Sequence, residues 1–231
     1  MLLSLITLVL PALATANPRI VFNDQTTKLD NPFDGVKVPV QLGVMSRCPD
    51  ALLCEATFNG VLEKVWDKVN LSLVYVAKFN KSDPEFGMTC LHGKEECAGN
   101  VQQLCVAKYA TPEQWWSFVQ CQNFGGREAI GSPEVALRCA SVAQIDWETS
   151  GAGQCAGLDG SGKAPEGVKL MHESVKLGQT LGITKSCTIL ISARKVCVHD
   201  VTWKECEGGH TVNDFVRQID EEYEKLNSLV D

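Results

Sequence analysis

Hydrophobic and polar positions follow two rhythms along this chain, one of period two and one of three to four, and their succession lays out the elements. Residues 38–45, VPVQLGVM, form a short β-prone run. It ends at Ser46-Arg47-Cys48-Pro49-Asp50, where proline suits the first turn of a helix, so a strand delivers a cysteine to a helix start. Cys54, Phe58, Val61, Leu62, Val65, Trp66 and Val69 then recur at helical spacing, which predicts an amphipathic helix with one core-facing side. Leu71 to Phe79, LSLVYVAKF, is a second strand candidate, and the three together make a βαβ unit.

Between about 90 and 182 the pattern turns helical. Thr111-Pro112-Glu113 and Ser132-Pro133-Glu134 each join a capping hydroxyl, a proline at the first helical position and an acid in the first turn. Residues 157–167, GLDGSGKAPEG, read as a flexible loop, and Val168, Leu170, Met171, Val175, Leu177 and Leu181 as a further helix. The β signal returns at Thr188 to Ser192 and Lys195 to Val201, with Ser192-Ala193-Arg194 fit for a hairpin joint. Gly208-Gly209-His210-Thr211 opens a last helix that carries Val212, Phe215, Val216, Ile219, Tyr223 and Leu226 on one face. The order βαβ, helical block, ββα is that of a thioredoxin-like α/β fold with a helical insertion at about 90–182. No repeat or second core competes with it.

Composition narrows the setting. The 231 residues are 45% hydrophobic and 21% charged, which fits one globular domain. A net charge of -7 lacks the basic field that a nucleic-acid partner requires. Eleven cysteines, spread from Cys48 to Cys206 without paired zinc-type spacing, point to an oxidising compartment, and their odd number leaves at least one unpaired within the chain. Residues 1–16, MLLSLITLVLPALATA, are uncharged, apolar from Leu2 to Leu10 and end in Ala14-Thr15-Ala16, so they read as a cleaved signal peptide followed by a single domain over 17–231. That run is too short for a membrane span, and no later segment is apolar enough to make one. The sequons Asn70-Leu71-Ser72 and Asn80-Lys81-Ser82 become candidate glycosylation sites, with Asn80 favoured by its polar surroundings.

The densest cysteine segment runs from Cys90 through His92, Gly93, Glu96, Cys97 and Asn100 to Cys105. This C-x-H-G-x-x-E-C-x-x-N-x-x-x-x-C pattern resembles the signature of the gamma-interferon-inducible lysosomal thiol reductase (GILT) family, whose pattern has Gln where this chain has Leu91. The Cys121 segment, Cys139, the Cys155-Ala156 step and Leu170-Met171-His172-Glu173 follow in the family's order, so the resemblance spans about 38 to 226. It implies a secreted or lysosomal thioredoxin-fold enzyme that reduces protein disulfides. Within the signature, Cys97 and Cys105 share a helical face and would staple the insertion to neighbouring segments. Nothing there supplies a nucleophile's surroundings, and a zinc site from Cys90, His92 and Cys97 is the minor alternative. Cys90, Cys97, Cys105, Cys121, Cys139 and Cys155 are expected to be oxidised and to hold the insertion, and Cys197 and Cys206 to pair across the final hairpin.

Cys48 is the candidate nucleophile, because a helix N-terminus favours thiolate, although Asp50 nearby opposes this. The family resembles thioredoxin in using C-x-x-C, whereas this chain reads Cys48-Pro49-Asp50-Ala51, with no resolving cysteine. Cys54 cannot simply stand in: residues six apart lie ~10 Å apart in a regular helix. A disulfide needs less than ~7 Å. Cys54 also falls on the apolar face, where a buried thiol or structural bridge is the alternative. Thioredoxin-like folds place a cis-proline before the third strand, and here the residues are Lys185-Ser186-Cys187-Thr188. Cys187 would then face Cys48 as a resolving thiol, a mixed-disulfide partner or a metal ligand, or be bridged to some other cysteine. His92, His172, His199 and His210 are scattered and form no recognisable triad, and the glycines of 157–167 make no phosphate or dinucleotide loop, so no cofactor is expected.

The expected activity is therefore disulfide exchange through Cys48 on disulfide-containing protein substrates, in an extracellular or endolysosomal lumen. Release would require Cys187, Cys54 or a small thiol reductant. The alternative is a redox-inactive glycoprotein that keeps the stapled scaffold for protein binding.

Overall fold

The computed structural model describes residues 35–228, so residues 1–16 and their expected cleavage lie outside the described residues. A five-stranded sheet forms the spine. Strand β1 (Val38–Val44) runs parallel to β2 (Val69–Tyr75) across helix α1 (Pro49–Val65), and on its other side pairs antiparallel with β5 (Thr188–Ile191). Strands β6 (Arg194–Asp200) and β7 (Thr202–Lys204) follow antiparallel, giving the order β2-β1-β5-β6-β7, and α7 (Val212–Asn227) closes the chain. This is the thioredoxin-like α/β arrangement that the order of elements anticipates.

Alternation along β1 decides what lies on each side. Val38, Val40, Leu42 and Val44 are fully buried in the main core with Phe58 of α1 and Phe215 of α7, whose rings sit 5.1 Å apart. Gly43 points the other way, and a Cβ there would meet Ile183 Cγ2 at 2.3 Å, so only glycine admits this contact. Val74, Ile183 and Leu190 form a small second cluster on that side.

The run from Leu71 to Phe79 is not one strand. It breaks after Tyr75, and Lys78–Phe79 (β3) instead pairs with Met88–Thr89 (β4) as a separate ribbon. Asp83 ties the intervening turn, its Oδ1 accepting from Glu85 N and Phe86 N at 3.1 and 2.7 Å. Asn70 is exposed on the edge strand β2. Asn80 is half-buried in the ribbon, where its Oδ1 accepts from Ser82 N and its Nδ2 donates to Thr89 Oγ1, both at 3.0 Å.

Between β4 and β5 lie α2 (Lys94–Tyr109), α3 (Pro112–Phe124), α4 (Pro133–Val142), α5 (Gly151–Ala156) and α6 (Pro165–Thr180). The capping signals act as read: Thr111 Oγ1 accepts from Gln114 N, and Ser132 Oγ from Val135 N, both at 3.3 Å. The short α5 and the strand β7 carry no comparable signal.

Three disulfides belong to this helical block: Cys105–Cys155 joins α2 to α5, Cys121–Cys139 joins α3 to α4, and Cys90–Cys97 closes the start of α2 on itself. Cys97 thus does not reach across to a neighbouring segment as its shared face with Cys105 suggests. The reason is that Cys90 lies in the turn directly before the helix, one turn from Cys97. Cys197–Cys206 spans β6 and the loop after β7.

The loops closed by these bridges differ in length, and so should their contributions. Loop-closure entropy gives about 4 kcal/mol for the 50-residue separation of Cys105 and Cys155, and about 2 kcal/mol for the seven-residue separation of Cys90 and Cys97. Urea unfolding of C105S/C155S should therefore show the larger loss of stability, with C90S/C97S the milder variant. Equal losses would mean that packing, not chain closure, sets the effect.

Candidate active site

The site starts from the turn between β1 and α1. Cys48 N donates to Met45 O at 2.9 Å, closing the turn, and Ser46 is buried beneath it. Ser46 N donates to Asn100 Oδ1 at 3.1 Å and Ser46 Oγ to Glu96 O at 3.2 Å, so both partners lie on α2. Gly99 permits this approach, since a Cβ there would lie 2.7 Å from Ser46 Oγ. Arg47 anchors the other side: its Nε donates to Ile130 O at 2.9 Å and its NH2 to Glu128 O at 2.5 Å.

This placement revises the reading of the signature segment as a staple only. His92 pairs through Nδ1 with the fully buried Glu96, Cys90 and Cys97 are joined, and Asn100 holds Ser46 while donating through Nδ2 to Cys90 Sγ at 3.9 Å. The spacing of the signature therefore builds one face of α2 into a seat for the turn that carries Cys48. Because Cys90 and Cys97 are bonded to each other, neither thiol is left for the alternative zinc site with His92.

Cys48 is the free cysteine among the described residues and is 6% exposed. It occupies the cap position of α1, yet its side chain caps no helical N–H. Instead Sγ lies 3.8 Å from Ser186 O and 3.8 Å from Asp50 Oδ2. Ser186 is fixed in turn by Met45, whose N–H donates to Ser186 Oγ at 3.0 Å. The peptide bond between Ser186 and Cys187 is cis.

The two other candidate catalytic thiols are not free. Cys54 and Cys187 form a disulfide buried at 0% exposure beneath Cys48, with their Cα atoms 6.3 Å apart. Cys54 reaches Cys187 because the core face of α1 packs against the strands that follow Cys187, which itself pairs with His199 through two 2.9 Å backbone bonds. Ala51 is also fully buried, one turn from Cys48 on the same helix.

Sequence reading misses His199. It lies on β6, and its Nδ1 sits 2.7 Å from Asp50 Oδ1, close but not aligned as a hydrogen bond. Asp50 Oδ1 also accepts from Val201 N at 2.9 Å, which holds an exposed valine at φ 66° beside the site. Trp203 packs edge-on against the His199 ring at 4.7 Å and stacks on His210 at 5.2 Å. Only the pairing of β6 with β5 brings these residues to Cys48, and no local spacing announces it.

A second buried acid also escapes the pattern. Glu55 is fully buried on the apolar side of α1, where Asn123 Nδ2 donates to Oε2 at 2.5 Å and Oε1 has no hydrogen-bond partner. Burial pushes its carboxyl up to about 7, against the lowering effect of Asn123. Burial and the Glu55 charge together raise the Tyr75 phenol, which donates to Gln103 Oε1 at 2.6 Å. Two surface grooves, one beside His172 and one beside Trp116 and Phe124, include none of the residues around Cys48.

Residues 39–143 match the family model described as gamma interferon inducible lysosomal thiol reductase (GILT), a stretch that holds Cys48, the signature, Cys121 and Cys139 but ends before Cys155 and Cys187. GILT-like protein 1 of Drosophila melanogaster is 28% identical over 131 residues, 50% of this chain and 52% of the relative. The match thus spans about half the length of that relative. Among solved structures, MdbA, a thiol-disulfide oxidoreductase from Corynebacterium diphtheriae, aligns with TM-score 0.54 at 14% identity, covering 79% of this chain and 83% of its own. Oxidised BdbD from Bacillus subtilis aligns with TM-score 0.53 at 14% identity, covering 83% and 92%. The chain is thus similar to the GILT family over residues 39–143, and its fold is thioredoxin-like.

Glu55 gives the fold a direction in pH. The folded chain holds this proton more tightly than the unfolded one, whose carboxyl has the ordinary value of 4.5, so the contribution is complete below pH 4.5 and is lost as pH rises through about 7. The loss amounts to about 3 kcal/mol at one pKa unit per 1.36 kcal/mol. Urea unfolding of wild type and Glu55→Gln at pH 4.5 and pH 8 should show the variant gaining on wild type by that order at the higher pH. A difference independent of pH would contradict the buried neutral acid.

Proposed function

We propose that this protein is a thiol-disulfide oxidoreductase that reduces disulfides of protein substrates through Cys48, working in the extracellular space or an endolysosomal lumen. The observation that carries it is the contrast among the cysteines: ten are paired, and the one left free stands at the start of α1, held on two sides by α2 and by Ser186. The match of residues 39–143 to the GILT family model supports the same chemistry. Removal of residues 1–16 and glycosylation at Asn80, or at the exposed Asn70, belong to this proposal and fit the density of cystines.

The chemistry needs a thiolate, a route for its proton and a leaving sulfur. Asp50, 3.8 Å from Sγ, is placed to take the proton, and His199 stands beside its other oxygen. The Cys48 sulfur then attacks one sulfur of the substrate disulfide, the S–S bond breaks, and the other substrate sulfur departs as thiolate. What remains is a mixed disulfide between Cys48 and the substrate. Ala51 cannot open it, so release falls to another thiol. A second reading, a binding scaffold without redox activity, draws on Ala51 and on the low exposure of Cys48.

Restoring the missing sulfur separates the two readings. Residues three apart on a helix have Cα atoms ~5 Å apart, within disulfide reach, so Ala51→Cys added to Cys187→Ser, which leaves no other thiol within reach of Cys48, should raise insulin reductase activity about tenfold by making release intramolecular. Cys48→Ser should abolish activity in either background. If wild type does not trap a disulfide-bonded peptide at Cys48 and Cys187→Ser does not gain activity with Ala51→Cys, the scaffold reading takes its place.

A further inference from the structure

We infer that the Cys54–Cys187 disulfide is the oxidised form of this protein's working dithiol, and that Cys48 is the port through which the dithiol exchanges with substrate. The inference rests on Cys48 being the nucleophile and says where its electrons come from.

Three cysteines meet at the junction of α1 with the start of β5. Cys48 Sγ touches the carbonyl oxygen of Ser186 at 3.8 Å, and Cys187 is the next residue in the chain. Cys187 is bonded to Cys54, six residues beyond Cys48 on α1. Accessibility ranks them: Cys48 is 6% exposed, while Cys54 and Cys187 are both at 0%. A protein substrate therefore meets Cys48 first. The helix fixes the order of hand-over, since Cys48 and Cys54 lie ~10 Å apart along it, beyond the ~7 Å that a direct bridge allows. Cys187, bonded to Cys54 and next in the chain to the carbonyl that Cys48 Sγ touches, is the thiol placed to exchange with both. It is thus the middle member of the exchange, not a staple that happens to lie near the nucleophile.

The reaction sequence balances without a cofactor. With Cys54 and Cys187 reduced, the Cys48 thiolate attacks the substrate disulfide, forms a mixed disulfide and expels the first substrate thiolate. The Cys187 thiolate then attacks Cys48 Sγ, which forms Cys48–Cys187 and releases the second substrate thiolate. Finally the Cys54 thiolate attacks Cys187 Sγ, restoring Cys54–Cys187 and returning Cys48 as thiolate. One substrate disulfide has become two thiols, each protonated in the end, and one protein dithiol has become a disulfide. A low-molecular-weight thiol resets the cycle: two of its molecules are oxidised to one disulfide as Cys54 and Cys187 are reduced, entering through the Cys48–Cys187 form by the reverse of the last step. The arrangement in the structure, a free Cys48 over a Cys54–Cys187 bridge, is the end state of a turnover.

Disulfide mapping of the full chain in a single turnover tests this. The protein is treated with enough small thiol to support steady turnover, freed of it, mixed with one equivalent of a disulfide-bonded peptide, quenched in acid, alkylated and mapped. The expected result is one Cys54–Cys187 bridge formed for each peptide disulfide lost, with Cys48 recovered as thiol. In Cys54→Ser the cycle should stall as a Cys48–Cys187 bridge, and turnover should fall by about tenfold or more because an external thiol must replace an intramolecular one. Peptide reduction with Cys54–Cys187 never opened would overturn the relay while leaving the nucleophile intact. So would a C54S/C187S variant that turns over as fast as wild type. Failure of Cys48 to bond to the peptide at all would instead remove the underlying reading of Cys48. Should the serine variants not fold, the wild-type mapping decides by itself.

Discussion

The hydrogen bonds from Ser46 to α2 hold this architecture to its purpose. A thioredoxin-like sheet can carry a cysteine to a helix start by itself, but the turn between β1 and α1 is a loop, and loops wander unless their backbone groups are satisfied. Here Ser46 buries its N–H and hydroxyl on Asn100 and on the Glu96 carbonyl, and Arg47 closes the far side on the Glu128 and Ile130 carbonyls. The helical insertion is thereby part of the site. Its three disulfides fix the helices that present these acceptors, so oxidation of the insertion and placement of Cys48 are one structural fact.

Polar groups inside the insertion follow the same logic. Tyr75, Gln103, Gln122 and Gln102 form a buried chain that ends on the Gly131 and Gly160 carbonyls, with steps of 2.6 to 3.2 Å. Each amide uses both a donor and an acceptor, which offsets the cost of burial and ties the sheet to α2 and α3 in one register. Glu55 stands apart: burial, opposed by the bond from Asn123, is why its proton is held so tightly.

Local pattern made much of the fold readable. The helix starts at Thr111-Pro112 and Ser132-Pro133 are written in three residues each, and β1 and α1 follow from period two giving way to period three to four. What stayed hidden depends on contacts between distant segments. The break after Tyr75 is invisible because residues 71–79 are β-prone throughout, whereas the sheet accepts them only as far as Tyr75. The partner of Cys54 could not be chosen among ten others, because the β1–β5 register decides it. His199 was readable as a histidine but not as a neighbour of Asp50. Cys48 itself was legible, since proline at the first turn marks its position at a helix start. That its sulfur turns toward Ser186 and away from the helical N–H groups was not.

The most direct test of the seat for Cys48 is its rate of alkylation by iodoacetamide in the folded protein, compared between wild type, Asn100→Ala and Gln103→Ala. Gln103 is as buried as Asn100 and lies on the same helix, but its bonds run to Tyr75 and Gln122. Loss of a buried hydrogen bond worth about 1–3 kcal/mol should free the turn, so Asn100→Ala should speed alkylation about tenfold or more, while Gln103→Ala leaves it close to wild type. An unchanged rate in a folded Asn100→Ala protein, or equal acceleration in both variants, would contradict the account.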